Sequence, residues 1–202
     1  MKRLVACVLS VGIVGFITTG ASAAPVIDQY QPSNPWHIAA FFLHDLAQSF
    51  QQSHGNVAGA GIFLREGIDT SDLVTISLWD DLPPSGGNML ASQSALGYSG
   101  NWVDVFWSPV SVVPHSTLYL LFESANDLLG VSGDTLDPYP HGHAYAQSVY
   151  HPHPTFDFTF RTYYDDAVRV VPAPGALLLV LIGTGAIQYL RRRRGEAAGS
   201  SI

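Results

Sequence analysis

The segment PYPHGHAYAQSVYHPHP, residues 138–154, concentrates four of the eight histidines of the chain. His141 and His143 are two apart, as are His151 and His153, so each pair projects to one side of an extended backbone. Two such pairs on neighbouring strands supply four imidazoles, a donor set suited to zinc or copper. Pro140, Pro152 and Pro154 work against regular strand pairing in the same segment. No carboxylate base is fixed by spacing, so the competing reading is a solvent-exposed turn.

Aromatic side chains offer a second kind of chemistry. Trp36, Trp79, Trp102 and Trp107, with Tyr98, Tyr139, Tyr145 and Tyr150, supply flat faces on which sugar rings stack. Asp137 and Gln147 stand near them in sequence as hydrogen-bond partners. Alternation sorts the tryptophans. Trp107 shares a face with Val103 and Val105, whereas Trp102 falls with Asp104 and Trp79 lies opposite Val74, Ile76 and Leu78. The candidate ligand contacts are therefore Trp79, Trp102, Asp137, Tyr139 and Tyr145, and the alternative for any one ring is the core.

Nucleophilic catalysis has little to build on. There is no Gly-x-Ser-x-Gly elbow, phosphate loop, dinucleotide fingerprint or EF-hand loop. Asp80-Asp81 and Asp165-Asp166 are adjacent pairs, which on a strand point to opposite faces and read as rim charges. The single cysteine, Cys7, lies in the first apolar run, so neither thiol catalysis nor a disulfide framework is available beyond it. The sequence reads as non-catalytic and calls for no cofactor. Its acidity is compatible with loosely bound calcium, and its histidines with zinc.

The elements that must position these groups read as strands. Val74, Ile76 and Leu78 alternate with Thr75 and Ser77, and Leu118, Leu120 and Phe122 share a face. Phe156, Phe158 and Phe160 point inward in the reading of 155–162, with Asp157, Thr159 and Arg161 outward. A two-residue period over short segments marks half-buried strands. Residues 47–50 and 57–64 add two more, and 38–46 holds a short helical turn. Turn-forming clusters fall at 83–88, 97–101, 109–114 and 130–134. About eight strands joined by turns predict an all-β antiparallel sandwich or jelly roll.

The two ends of the chain are of another kind. Lys2 and Arg3 precede an apolar run to Ile17, and Ala21-Ser22-Ala23 supplies an A-x-A cleavage pattern. These are the parts of a signal peptide spanning residues 1–23, cut by signal peptidase. At the other end, Ala176 to Leu190 is apolar except for Thr184 and Gln188. As a helix it covers about 22 Å, short of a hydrocarbon core near 30 Å. Arg191, Arg192, Arg193 and Arg194 then stop transfer on the cytoplasmic side. An ordinary single-span anchor is the plain reading of such a tail.

Val171-Pro172-Ala173-Pro174, the short apolar run and the arginine cluster together resemble the PEP-CTERM sorting signal of exported Gram-negative bacterial proteins. Ala173 stands where that signal usually has Glu, and Glu196 to Ile202 extend further than usual. The resemblance implies handling by an exosortase, a membrane transpeptidase-like enzyme that cuts near the motif. The organisation expected is a signal peptide (1–23), an ectodomain (24–170), a sorting and anchor segment (171–194) and a short cytoplasmic tail (195–202). The protein would then be anchored in the inner membrane as a precursor and reach the cell surface or matrix.

The ectodomain carries three arginines against fifteen acidic residues, a formal charge of −12. Such a surface repels phosphate backbones, which argues against nucleic-acid partners. Its progression of segments, from Gln48-Ser49-Phe50 through Trp102-Val103-Asp104-Val105 to Asp157-Phe158-Thr159-Phe160, resembles choice-of-anchor-like jelly-roll domains akin to carbohydrate-binding modules. The reading is an exported structural or adhesive protein of the envelope or biofilm matrix, linked to exopolysaccharide. A carbohydrate-binding module with an exposed aromatic platform and a secreted histidine-cluster metalloprotein or hydrolase are the alternatives.

Overall fold

The computed structural model describes residues 24–65 and 70–166. The calls on the signal peptide, on Val171–Pro174, on the apolar tail and on Arg191–Arg194 lie outside the described residues. Among the described residues no helix is long and apolar enough to cross a membrane.

The described chain is all-β. Its strands are β1 (Val26–Gln31), β2 (Trp36–Ala40), β3 (Leu46–Gln51), β4 (Asn56–Arg65), β5 (Ser71–Trp79), β6 (Met89–Tyr98) and β7 (Trp102–Ser111). There follow β8 (Thr117–Ser124), β9 (Gly130–Asp134), β10 (Ala144–Ala146), β11 (His151–His153), β12 (Asp157–Phe158) and β13 (Phe160–Tyr164). Short 3₁₀ turns occupy Phe41–Leu43 and Pro83–Ser85. One antiparallel sheet runs β1-β13-β4-β9-β12, with β2 paired to β9 and β7 to β4. The other runs β11-β10-β3-β8-β5-β6.

The two sheets enclose one main core. Val74, Ile76 and Leu78 of β5 and Leu118, Leu120 and Phe122 of β8 are all buried, as their alternation predicts. They meet Ile62, Leu64, Val103, Val105, Phe158 and Phe160 from the opposite sheet. Ring contacts cross between the sheets at Phe50–Phe160 (6.3 Å) and Phe122–Phe158 (5.9 Å). Each such ring, fully buried, contributes on the order of 1.5–3 kcal/mol.

Several expectations need correction. The strands number thirteen among the described residues rather than about eight, because most of the additional ones are two to six residues long and too short to show a period, while ten-residue β6 has no clean alternation. Residues 130–134 form no turn: they are β9, buried throughout. Glycine is required there because a Cβ on Gly133 would stand 2.3 Å from both the Asp157 carbonyl and Ile38 Cδ1. Residues 38–40 belong to β2, and only Phe41–Leu43 turns helically. The run 155–162 breaks at Thr159, where the chain passes from pairing with β9 to pairing with β4. Asp157 and Thr159 are consequently buried rather than outward.

Both ends of the described chain leave from one end of the sandwich. Val26 of β1 lies opposite Tyr164 of β13. Asn56 grips the exit, its Nδ2 donating to the Asp165 carbonyl (3.1 Å) and its Oδ1 accepting from the Asp165 amide (2.9 Å). His54 stacks on Tyr164 at 3.6 Å and bonds Asp28 at 2.7 Å beside them.

Candidate functional site

The outer face of the six-stranded sheet carries a second apolar cluster, separate from the core: Ala47, Leu82, Leu121 and Tyr145, with Trp79, Tyr119 and Tyr150 packed on it and half-buried. Strand register explains the grouping. Trp79 pairs with Tyr119, Ser77 and Ala47 each pair with Leu121, and Tyr145 pairs with Ala47. Small side chains at Ala47 and Ser49 on β3 let Tyr119 and Tyr145, on the strands either side, meet edge to face at 5.8 Å. The Trp79 indole N–H donates to Ser77 Oγ at 2.8 Å, which fixes the ring.

A cleft of about 350 Å³ opens beside this face. Phe41, Leu46, Leu121 and Phe122 form its apolar wall, and Asp45, Glu123, Ser124, Asp127, His44 and Tyr150 its polar one. Two segments of positive φ shape the lip, at His44-Asp45 (φ 56° and 51°) and at Gln147 to Tyr150 (φ 60°, 40°, 64° and 59°). They are tied together by Gln147 N–H to the His44 carbonyl (3.2 Å) and Val149 N–H to Asp45 Oδ2 (3.0 Å). Burial pushes the Tyr150 hydroxyl up to about 12, helped by the nearby Asp45 and Glu123. Burial likewise holds Tyr119 at about 12, with Tyr145 and Asp81 adding to it. Both phenols therefore stay protonated at neutral pH and keep a hydrogen to donate.

Of the candidate ligand contacts, only Trp79 is a half-exposed ring on this face. Trp102 sits on the outer face of the other sheet, and its ring is covered by the Arg161 guanidinium at 4.1 Å. Phe63 (5.7 Å) and Tyr30 (6.0 Å) flank it. Arg161 is in turn held by Asp104 through Nε at 2.8 Å and through a second bond from its terminal nitrogen. Trp102 is thus engaged in packing instead of presenting an open platform. Tyr139 is only 7% exposed, its ring edge-on to Phe160 at 5.1 Å and its hydroxyl donating to Gln29 Oε1 at 2.9 Å. Tyr145 is buried beneath the outer patch. Asp137 is exposed in the loop before β10. Trp107 packs against the core as its alternation predicts and donates to the Val57 carbonyl at 3.1 Å. Trp36 is 58% exposed on β2.

The histidines do not converge. β11 pairs with β10 so that His153 lies opposite Ala144 and His151 opposite Ala146. Those alanines face the core, whereas Tyr145 between them faces outward. His151 and His153 therefore follow the inner side, and His153 stacks on Phe156 at 5.5 Å. His143 stays against Tyr145 at 4.6 Å, and His141 against Tyr139 at 5.9 Å. Burial lowers the His143 pKa, with His153 adding to it and Asp137 opposing it. Among the described residues no group of three or more histidines, cysteines or acids is placed to hold a metal ion.

Tyr119, Leu121, Glu123, Asp45 and Asp127 did not stand out from the sequence. Tyr119 carried a usable signal, since it lies opposite Leu118, Leu120 and Phe122 on its strand, as Trp79 does on its own. The chain matches no family model, no curated protein and no solved structure.

Proposed function

We propose that this is an exported, non-catalytic protein of the cell envelope or extracellular matrix that contacts polysaccharide through the outer face of its six-stranded sheet. The observation that carries the reading is the run of half-buried Trp79, Tyr119 and Tyr150 on that face, beside a cleft lined with hydrogen-bonding side chains. Aromatic faces stack on the apolar faces of sugar rings, and carboxylates, hydroxyls and phenols at their margin accept or donate to sugar hydroxyls. The −12 ectodomain repels anionic polymers, which favours a neutral or amino-bearing glycan. The jelly-roll resemblance points the same way. The sorting-signal resemblance supplies the address: signal peptidase at the front, an exosortase at the tail and a transient inner-membrane anchor between export and delivery.

Affinity electrophoresis in gels containing neutral or amino-bearing exopolysaccharides tests the binding reading. The wild-type chain is expected to be retarded. Trp79→Ala and Tyr150→Ala should each weaken retardation by about tenfold, the size of effect that loss of an aromatic anchor produces. Trp36→Ala, on a different surface, should leave it unchanged. Equal mobility of wild type and Trp79→Ala in every polymer sinks the proposal.

A further inference from the structure

β6 is a terminal strand of its sheet, and β5 is its only ladder partner among the described residues. Its ten residues, MLASQSALGY, contain no proline and no charge. β7 runs close beside β6 after the Ser99–Asn101 turn but forms no ladder with it, so the backbone groups of β6 on that edge are unpaired by any described strand, a template for another. The other strands with an open edge are blunted. β12 has two residues, β11 has three with a central proline, β2 has five with a register shift between His37 and Ala39, β1 carries Asp28 and an irregular register, and β7 contains Pro109. β6 has a single irregularity at its start, where the register with β5 skips Leu90, and from Ala91 to Tyr98 its pairing is regular; Met89 and Leu96 are 57% and 54% exposed.

The sequence of the strand says what it would pair with. Residues 90–96 read Leu-Ala-Ser-Gln-Ser-Ala-Leu, identical in both directions about Gln93. A two-fold axis through Gln93 of two antiparallel copies sets Leu90 against Leu96, Ala91 against Ala95, Ser92 against Ser94 and Gln93 against itself. Two-fold interfaces require such self-complementarity. Charge favours the same place. No charged residue occurs from Asn88 to Val103, whereas a domain of −12 meets its own like charge over most other surfaces.

We propose that two copies of this chain associate through antiparallel β6–β6 pairing centred on Gln93, joining their six-stranded sheets into one. Because the sheet is continuous across the axis, the outer faces of both copies lie on the same side. The aromatic face is doubled, and a polymer that meets one copy meets the second at high effective concentration. The pairing itself does not depend on glycan binding.

Single cysteines in the full-length chain with Cys7→Ser, purified in mild detergent, test the register. Directly opposed residues fall within disulfide range and residues two positions out of step fall beyond it. Gln93→Cys should give a disulfide-linked dimer on mild oxidation. Ser92→Cys and Ser94→Cys should each stay monomeric alone and cross-link when mixed. Gln93→Cys cross-linking no faster than Val113→Cys, an exposed control on a distant turn, overturns the proposal, as does Ser92→Cys alone matching the mixture. Gln93→Lys sets like charges against each other across the axis at an exposed position. It should lower the dimer fraction, read by mass photometry, at least tenfold with an unchanged unfolding midpoint. A dimer that persists at wild-type level in that variant also overturns it.

Discussion

Asp157 is fully buried between the sheets, where it accepts from Gln48 Nε2 (2.9 Å) and from the Tyr139 amide (3.0 Å). Burial outweighs those two bonds and pushes its carboxyl up to about 6, with Asp137 and Asp134 adding to the rise. Asp72 is the opposite case. Burial works to raise it, but hydrogen bonds from Ser124, from Asn126 and from the Leu73 amide hold it down at about 2. A carboxyl raised on folding binds its proton more tightly in the native state, so Asp157 makes stability fall as pH rises from about 4 to 6. A lowered carboxyl stabilises above about 4, and that contribution is lost as pH falls towards 2. Unfolding midpoints measured across pH should therefore lose their slope between 4 and 6 in Asp157→Asn, and their slope below 4 in Asp72→Asn. Neither residue was legible as buried. Asp157 alternates with phenylalanines and reads as outward, and Gln31, Gln48 and Gln52 are buried polar side chains of the same kind. Their amides complete backbone hydrogen bonds that the sheets leave open, as when Gln48 Oε1 accepts from the Phe158 amide at 2.9 Å. For Gln31 and Gln48 that role includes Phe158, more than a hundred residues away, and leaves no local pattern.

At the level of elements, β4 shows how a strand can be shaped by what crosses above it. Gly61 pairs with Arg161 on one side and Asp104 on the other, and those two side chains meet over it. A Cβ at Gly61 would stand 2.1 Å from Asp104 Oδ1. Gly61→Ala should therefore displace the bridge that covers Trp102 and cost about 1–3 kcal/mol, the usual penalty of overfilling a packed site, read from urea unfolding midpoints. The long strands β5, β7 and β8 were legible because one face is core and the other is more open, which imposes a two-residue period, whereas β4 is buried on both faces and was read from its apolar run. β9 was hidden because it is buried on both faces and built of glycine, serine and valine, a composition shared with turns. β10 and β11 were hidden by their length. Their one-residue choice of register decides that the second histidine pair lies on the side away from Tyr145, with His151 exposed and His153 half-buried, and sequence spacing alone cannot express that choice.

Across the whole molecule, the described sheets lie apart from the segments proposed as an address. The described strands all fall between Val26 and Tyr164 and the described ends emerge together, so trimming the chain outside residues 24–166 removes none of the thirteen. Mass spectrometry of the chain from a host with an exosortase should show loss of Met1–Ala23 and of everything beyond the Val171–Pro174 motif. In the same host lacking exosortase the tail should remain. Retention of Arg191 to Ile202 in both hosts would leave an ordinary anchor in place of the sorting signal.

The shared exit point of the two chain ends has a mechanical consequence. β6 begins, at Met89, on the end of the sandwich where the described chain ends, because Met89 pairs with Trp79 and Trp79 with Tyr119, next to the Gln51–His54 corner that touches Tyr164. An antiparallel β6 pair consequently places the described chain ends of its two copies at opposite ends of the joined sheet. On the proposed reading of the tail as an anchor, copies held side by side in one membrane are oriented against such a union, while copies held in facing surfaces are presented for it.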